Sequence, residues 1–406
     1  MTVGTGTRPD VYIVKPLVKS IMDSRPDYVV LVVTQQSLRF GQDIVKELGL
    51  SEDSFSIEVL KEFDDFQSVF RSVNEIFEKL RKLGFNQNEI QVDFTSGTKA
   101  MSSGVVLSAI YNECESVKYI TGQRKNGIVV DDTERFVSVF PSMVFLLHDI
   151  QMAKQFITEL RFATAGEMLG KVRPEILNDF ERAYVKNLLV IAKAYLAWDV
   201  FDHAAALRNL EKVDWSVPEL EPFKPSSHIL EALKQITRSQ GKEKNYLLLL
   251  DLFNNATRRG REGKYDDAVA RLYRATELFA QQLLADERFS IDTSDVDLCK
   301  VPESLRATLE KQRSELDGKI RIGMEMDFML LKELGHHVGE KFFEDKQLRG
   351  QLSERNYSIL AHGLRPIRKS LYKKLHSSVV SLFETEIPNF SSDAQALQFP
   401  WLQAAA

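Results

Sequence analysis

The run Tyr28-Val-Val-Leu-Val-Val33 is almost continuously apolar and β-branched. A strand of that kind must be covered on both faces, which is the condition of a parallel sheet flanked by helices. The surrounding chain fits that condition. Amphipathic spacing over 40–48 gives way to a strand pattern at Phe55 to Leu60, a helical pattern at Phe66 to Leu83, a strand at Ile90 to Phe94 and a helix at Lys99 to Tyr111. Strand patterns follow at 117–120, 128–130 and 136–140, and Asn126-Gly127 in their midst is a hairpin signal. Strands alternating with helices predict an α/β, Rossmann-like domain over 1–142, its sheet mostly parallel with an antiparallel edge.

Strand signals stop near Met143. Apolar residues then recur at three- and four-residue spacing over 156–169, 180–200 and 203–213, the mark of amphipathic helices. Pro218, Pro222 and Pro225 crowd one stretch and mark it as a linker or boundary. Helical patterning resumes at Asn245 and runs to about Glu384. The reading is an all-α helical linker domain over 143–240 and a C-terminal α-helical domain over 241–406.

Composition removes several classes of function. A net charge of −5 over 406 residues argues against a protein that coats nucleic acid by bulk electrostatics, so any polyanion site must be a local patch. No apolar run approaches the length of a bilayer span, and the first residues lack a basic-then-apolar leader, so a cytoplasmic protein without membrane contact is expected. Cys114 and Cys299 stand alone, without metal-site spacing, and read as buried thiols.

Three polar loops fall where a doubly wound sheet binds ligands, at the carboxyl ends of its strands. Thr95-Ser96-Gly97-Thr98-Lys99 lies between a strand and a helix, with hydroxyls, helix-start N–H groups and one ammonium able to hold phosphate or ribose oxygens. The alternative reading of this segment is an N-capping hydroxyl beside a solvated lysine. Thr5-Gly6-Thr7 follows a very short first strand, and Thr34-Gln35-Gln36-Ser37 follows the second. Neither GxGxxG nor a Walker motif is present, which disfavours a nicotinamide cofactor or an NTP hydrolase.

Near the other end, Arg355-Asn356 is followed by six residues and then His362. At about 100° per residue, a helix would return Arg355 and His362 to nearly the same face. An always-charged guanidinium beside an imidazole that titrates near neutrality suits phosphodiester chemistry. From Gln351 to His376 the one acid, Glu354, faces Arg355, Arg365, Arg368, Lys369, Lys373 and Lys374, a local basic patch that reads as a nucleic-acid contact or a solvated helix face. A second cluster, Arg258, Arg259, Arg261 and Lys264, precedes the helix that starts at Tyr265. His336-His337, with Glu340 three residues on, invites a metal reading, but adjacent histidines on a helix diverge, and packing or helix-end polarity is the expected role.

An Asp93-Phe-Thr-Ser-Gly-Thr-Lys-Ala-Met101 segment, the helix Tyr265 to Glu277 and Arg355-Asn356…His362-Gly363 occur together in one chain. This combination resembles the CARF–HEPN ribonucleases that accompany type III CRISPR systems. The resemblance implies a CARF domain that dimerises and binds a cyclic oligoadenylate, tetra- or hexa-adenylate, as an activator rather than a cofactor. It further implies paired HEPN domains that cleave single-stranded RNA, with Arg355, Asn356 and His362 at the catalytic site. The loops 5–7, 34–37 and 95–99 would line the ligand pocket. Two other readings stay open: a nucleotide-binding signalling module whose helical domain only dimerises, and a ring nuclease in which Ser96, Thr98 and Lys99 act on the activator itself.

Overall fold

The computed structural model describes residues 1–6, 13–125, 128–130, 133–172, 177–238 and 241–403. They divide into two compact units, Met1–Asp149 and Ile150–Ala406.

The first unit is built from β1 (Thr2–Val3), α1 (Val14–Ser24), β2 (Val29–Thr34), α2 (Leu38–Leu48), β3 (Phe55–Leu60), α3 (Phe66–Lys82), β4 (Gln91–Asp93), α4 (Lys99–Tyr111), β5 (Ser116–Thr121), β6 (Arg124–Lys125), β7 (Ile128–Val129) and β8 (Arg135–Val139). Strands β1, β2 and β3 pair in parallel, as do β4 and β5, and β8 closes onto β5 antiparallel. The expected architecture is therefore present, antiparallel edge included. The Asn126-Gly127 turn lies outside the described residues, although β6 and β7 on either side of it pair antiparallel.

Because side chains alternate along a strand, β2 serves two cores. Val29, Leu31 and Val33 pack with α1 and α2, while Val32, with Val30 beside it, faces α3 and α4. Helices on both faces account for the unbroken apolar run in β2. Helix α1 carries the i, i+3, i+4, i+7 apolar spacing of a helix in Val14, Leu17, Val18 and Ile21, and Pro16 does not break it, since N–H groups in the first turn have no helical partner.

The second unit is helical. Its elements are α5 (Ser142–Thr158), within which the division falls, α6 (Phe162–Gly170), α7 (Asp179–Asp199), α8 (His203–Leu210), α9 (Ser227–Arg238), α10 (Lys242–Arg261) and α11 (Tyr265–Ala285). They are followed by α12 (Glu303–Glu310), α13 (Met324–Glu333), α14 (His337–Glu344), α15 (Lys346–Glu354), α16 (Lys369–Phe383), α17 (Phe390–Ala396) and α18 (Pro400–Gln403). The apolar pattern over 156–169 is not one helix. It breaks between α5 and α6, where Leu160 takes a positive φ of 66°. The proline-rich stretch packs inward: a 3₁₀ turn at Pro218–Phe223 buries Leu220 and Phe223, and Tyr195 Oη donates to the Phe223 carbonyl at 2.5 Å. Among the described residues no helix is long and apolar enough to cross a membrane. Cys114 is buried as expected, but Cys299 is exposed, on a surface 3₁₀ turn.

A charged network sits at the centre of this unit. Arg258 on α10 is fully buried; its Nε donates to Asp199 at 2.8 Å, its Nη2 to Asp251 at 3.3 Å and its Nη1 to Gln398 at 3.0 Å. Asp251 also accepts from Trp198 Nε1 and pairs with His203 at 2.7 Å, while Asp199 accepts from Asn255 and Arg259. Removing one partner of a buried ion network strands the others without solvent. Arg258→Leu should lower the unfolding free energy by about 3–5 kcal/mol. Urea unfolding followed by circular dichroism would measure this, and a loss under about 1 kcal/mol would show that the two carboxylates find other partners.

Candidate functional site

The loops of the first unit converge through their own hydrogen bonds. Ser37 Oγ donates to the Val3 carbonyl at 2.7 Å, tying the loop after β2 to the end of β1. The Gly4 N–H donates to Ser96 Oγ at 3.0 Å, tying β1 in turn to the loop after β4. Asp93, at the end of β4, accepts from the Thr95 N–H at 2.8 Å and from Ser20 Oγ at 2.5 Å, which fixes where that loop departs from the sheet.

These bonds sort the predicted ligand residues. Thr34 and Ser37 are buried and bond one another within the turn they form. Thr95 Oγ1 accepts from the Ile120 N–H, and Thr98 Oγ1 caps α4 through the Met101 N–H while donating to the Phe63 carbonyl. Four hydroxyls are thus committed to holding the loops. Gln35, Gln36, Gly97 and Lys99 are exposed, as are Thr5 and Gly6, and Ser96 is half-buried with a hydroxyl proton still to donate. Thr7 lies outside the described residues. The capping reading of Thr98 and the exposed ammonium of Lys99 are both present in one loop.

The second cluster occupies the helical unit, and its geometry departs from the helical expectation. Helix α15 ends at Glu354, Arg355–Tyr357 form one 3₁₀ turn, and Ser358 is already extended, with φ −82° and ψ 163°. Arg355 and His362 therefore do not share a helix face. A folded loop joins them instead. The His362 N–H donates to the Asn356 carbonyl at 3.2 Å, the Gly363 N–H to Ser358 at 3.2 Å and the Arg365 N–H to Tyr357 at 2.9 Å. Gly363 makes the loop possible, since a Cβ there would lie 2.0 Å from the Tyr357 carbonyl oxygen. The Ile367 N–H reaches the Asp266 carboxylate at 3.3 Å and anchors the far end of the loop to α11.

Arg355 is half-buried, with its guanidinium carbon 4.9 Å from the centre of the Tyr273 ring, whereas Asn356 and His362 are exposed. Burial and then Glu277 raise the Tyr273 hydroxyl above its usual range, which keeps the ring neutral under the cation. Arg355 Nε, Ser358 Oγ and the Gln351 amide are buried yet hydrogen-bond to nothing among the described residues. Around them Tyr357, Ile359 and Leu364 are 51%, 67% and 88% exposed, an apolar rim on the motif.

One sequence reading changes here. Arg258 and Arg259 belong to the buried network and are no part of a basic surface. His336 does not begin a helix turn with His337: it is the extended N-cap of α14, its Nδ1 accepting from the Val338 N–H at 3.3 Å. The two rings stack 5.0 Å apart, and His337 Nε2 lies 3.4 Å from Glu386 rather than near Glu340. Helix-end polarity is thus the role of His336. One residue gave no sequence signal at all. Asp327, on α13, is fully buried with both oxygens unpartnered among the described residues.

Two family models match the chain, the CARF domain of Card1 over residues 3–142 and the HEPN domain of Csm6 over residues 237–386. The chain is a CARF–HEPN protein. Its relatives include the CRISPR system endoribonuclease Csm6 of Thermus thermophilus, 23% identical and matched over 85% of this chain and 77% of that one. Among solved structures, the Csm6 of Enterococcus italicus bound to cyclic hexa-2′-fluoro-hexa-dAMP superimposes with a TM-score of 0.60 at 13% identity, covering all of this chain and 98% of that one. At that identity the likeness speaks for the fold. The CARF match ends just beyond β8, and the HEPN match takes in α10 through α16, with the folded Arg355–Gly363 loop inside it.

Burial, and secondarily the Glu277 charge, push Asp327 up to about 7. A carboxyl whose folded pKa lies above its unfolded value holds its proton better when folded, so stability falls as pH rises from about 4 to 7 and levels off above. Wild-type unfolding free energy should drop across that window by at most about 1.4 kcal/mol per pH unit from this group. Asp327→Asn should flatten the slope, as measured by urea unfolding at pH 5, 6, 7 and 8; an unchanged slope would assign the dependence elsewhere.

Proposed function

We propose that this CARF–HEPN protein is a metal-independent endoribonuclease that cleaves single-stranded RNA in CRISPR antiviral defence when its CARF domain binds a cyclic oligoadenylate. The observation that carries the reading is the loop at 355–363. It presents Asn356 and His362 at the surface beside Arg355, inside a region that matches the Csm6 HEPN family. The relative from Thermus thermophilus is named an endoribonuclease, and the structure from Enterococcus italicus holds a cyclic hexanucleotide analogue. Both names agree with the proposal.

RNA carries its own nucleophile, the 2′-hydroxyl next to the scissile phosphate. The protein has only to align it, move a proton and stabilise charge on the phosphorane. In this reading His362 exchanges the proton with the 2′-hydroxyl or the leaving 5′-oxygen, Arg355 neutralises the phosphate, and Asn356 orients the reacting group. The products are a 2′,3′-cyclic phosphate and a 5′-hydroxyl, and DNA is not cut. One chain offers one His362, so a second copy related by a two-fold axis completes the site. The apolar rim of Tyr357, Ile359 and Leu364 and the unpartnered polar atoms at Arg355, Ser358 and Gln351 support such a homodimer.

The activator would lie on the loops at 5–7, 34–37 and 95–99, with Gln35, Gln36, Ser96 and Lys99 free to meet it and the committed hydroxyls shaping the loops. The helices of 143–240 would carry the signal, a coupling of typically about 1–3 kcal/mol. The reading places the protein in the cytoplasm, where the RNA is.

The test is cleavage of a fluorescent single-stranded RNA in EDTA, with cyclic tetra- and hexa-adenylate supplied separately. Cleavage should require one ring and should fall by roughly 10²-fold or more in His362→Ala. Binding of a ring without cleavage under any condition would replace the nuclease by a non-catalytic signalling module.

A further inference from the structure

The C-terminal end of α10, the first turn of α11 and the face of α16 enclose an open groove of about 640 Å³ that contains none of Arg355, Asn356 and His362. Arg261 enters it from α10 and Lys369 and Lys373 from α16, so two basic stretches separated by more than a hundred residues meet here. All three side chains are exposed, and none makes an ion pair among the described residues. The one acid in the groove is already claimed: Glu262 pairs with Arg259 at 2.9 Å and Lys264 at 2.8 Å. Like charges gathered without a counter-charge repel, and the chain as a whole is acidic, so this is a local anion-attracting surface against the general trend.

The groove also carries aromatic faces. Tyr265 and Tyr372 stack at 5.7 Å and 30°, both half-buried. Tyr372 is pressed so close to α10 that a Cβ on Gly260 would fall 2.2 Å from its ring, which keeps the ring fixed. Behind it His376 Nε2 lies 3.1 Å from Thr257 Oγ1. Fixed aromatic rings flanked by unpaired cations are how proteins hold single-stranded nucleic acid without reading its sequence. The groove is continuous in chain with the loop at 355–363, because Lys369 follows Ile367, which Asp266 holds beside Tyr265.

We propose that this groove is a second contact for the single-stranded RNA, with phosphates on Arg261, Lys369 and Lys373 and a base against the Tyr265–Tyr372 pair. The proposal rests on the ribonuclease reading and adds to it where the strand is held away from the bond that breaks.

Its test uses a fluorescein-labelled 20-nucleotide 2′-O-methyl RNA, which lacks the nucleophile and stays intact, bound to the full-length protein and read by anisotropy over a range of salt. Cleavage of the unmodified RNA is measured in parallel. Replacing Arg261, Lys369 and Lys373 by alanine should weaken binding at least tenfold at low salt. It should also lower the magnitude of the salt slope by roughly 2, about 0.7 for each phosphate that is no longer neutralised. Tyr265→Ala should weaken binding roughly fivefold or more while leaving the slope as it was. In cleavage, the triple variant should raise KM more than it lowers kcat. Lys373→Glu, a single exposed change, repeats the test should the triple variant fold poorly. If wild type binds and cleaves but these variants match it in affinity and slope, the groove is not an RNA contact and the ribonuclease reading stands. If wild type with activator neither binds nor cleaves RNA, the ribonuclease reading falls and takes the groove with it.

Discussion

The helical unit depends on one buried guanidinium. Arg258 cannot lose its charge, and a site without solvent tolerates it only between carboxylates. Asp199 comes from the end of α7 and Asp251 from two turns earlier on α10, and Gln398 closes the third side from the C-terminal segment. The same carboxylates collect Trp198, His203, Asn255 and Arg259, and Arg271 on α11 reaches Asn255 in turn. Helices from 150–240 are thereby fixed to those that follow. Phe399 lies under the guanidinium at 4.1 Å, so the segment leading into α18 is held by the same group. With α10 fixed in rotation, Arg261 one turn on is delivered to the surface while Arg258 stays inside.

Such a network is where sequence reading fails for a physical reason. Arg258, Arg259, Arg261 and Lys264 look alike in sequence, and nothing local separates two interior cations from two exterior ones. What separates them is Asp199 and Asp251, and Asp199 lies 59 residues away from Arg258. His203 is the same case, its carboxylate partner Asp251 being 48 residues distant. By contrast β2 was legible, because its burial on both faces is written in consecutive residues. The strand–helix alternation, the antiparallel edge and most helices of the second unit were legible too. The exceptions include α1 and the α5–α6 break, which turn on a proline that first turns tolerate and a positive φ at a leucine, and α9 and α17, which lie outside the helical stretches the pattern marked.

The sites divide along the same line. The residue types at 34–37 and 95–99 were readable, but a set of hydroxyls does not say which are already bonded. Thr34, Ser37, Thr95 and Thr98 are taken up by the sheet and by a helix cap, and the groups left over are the amides of Gln35 and Gln36, Ser96 and the Lys99 ammonium. The expected pairing of Arg355 with His362 rested on helix phase, which the structure does not bear out. Seven residues of helix would have aligned them; in the structure a folded loop ties the two positions through its backbone, the His362 N–H donating to the Asn356 carbonyl. The loop is the better device, since its closing bonds run through the backbone of Asn356 and His362 themselves. Side chains anchored that way are positioned by covalent neighbours rather than by helix phase.

That loop also explains why its surroundings are poorly satisfied. A helix through 355–362 would have paired its own N–H and carbonyl groups. The folded loop leaves Arg355 Nε, Ser358 Oγ and the Gln351 amide buried without partners among the described residues and puts Tyr357, Ile359 and Leu364 at the surface. Each choice costs stability in an isolated chain. In the proposed homodimer a two-fold related copy would cover the apolar rim and bring a second His362 to the same phosphate, offsetting both costs. Proton removal from the 2′-hydroxyl and proton delivery to the leaving oxygen are different tasks, and one imidazole does not occupy both positions in a single step.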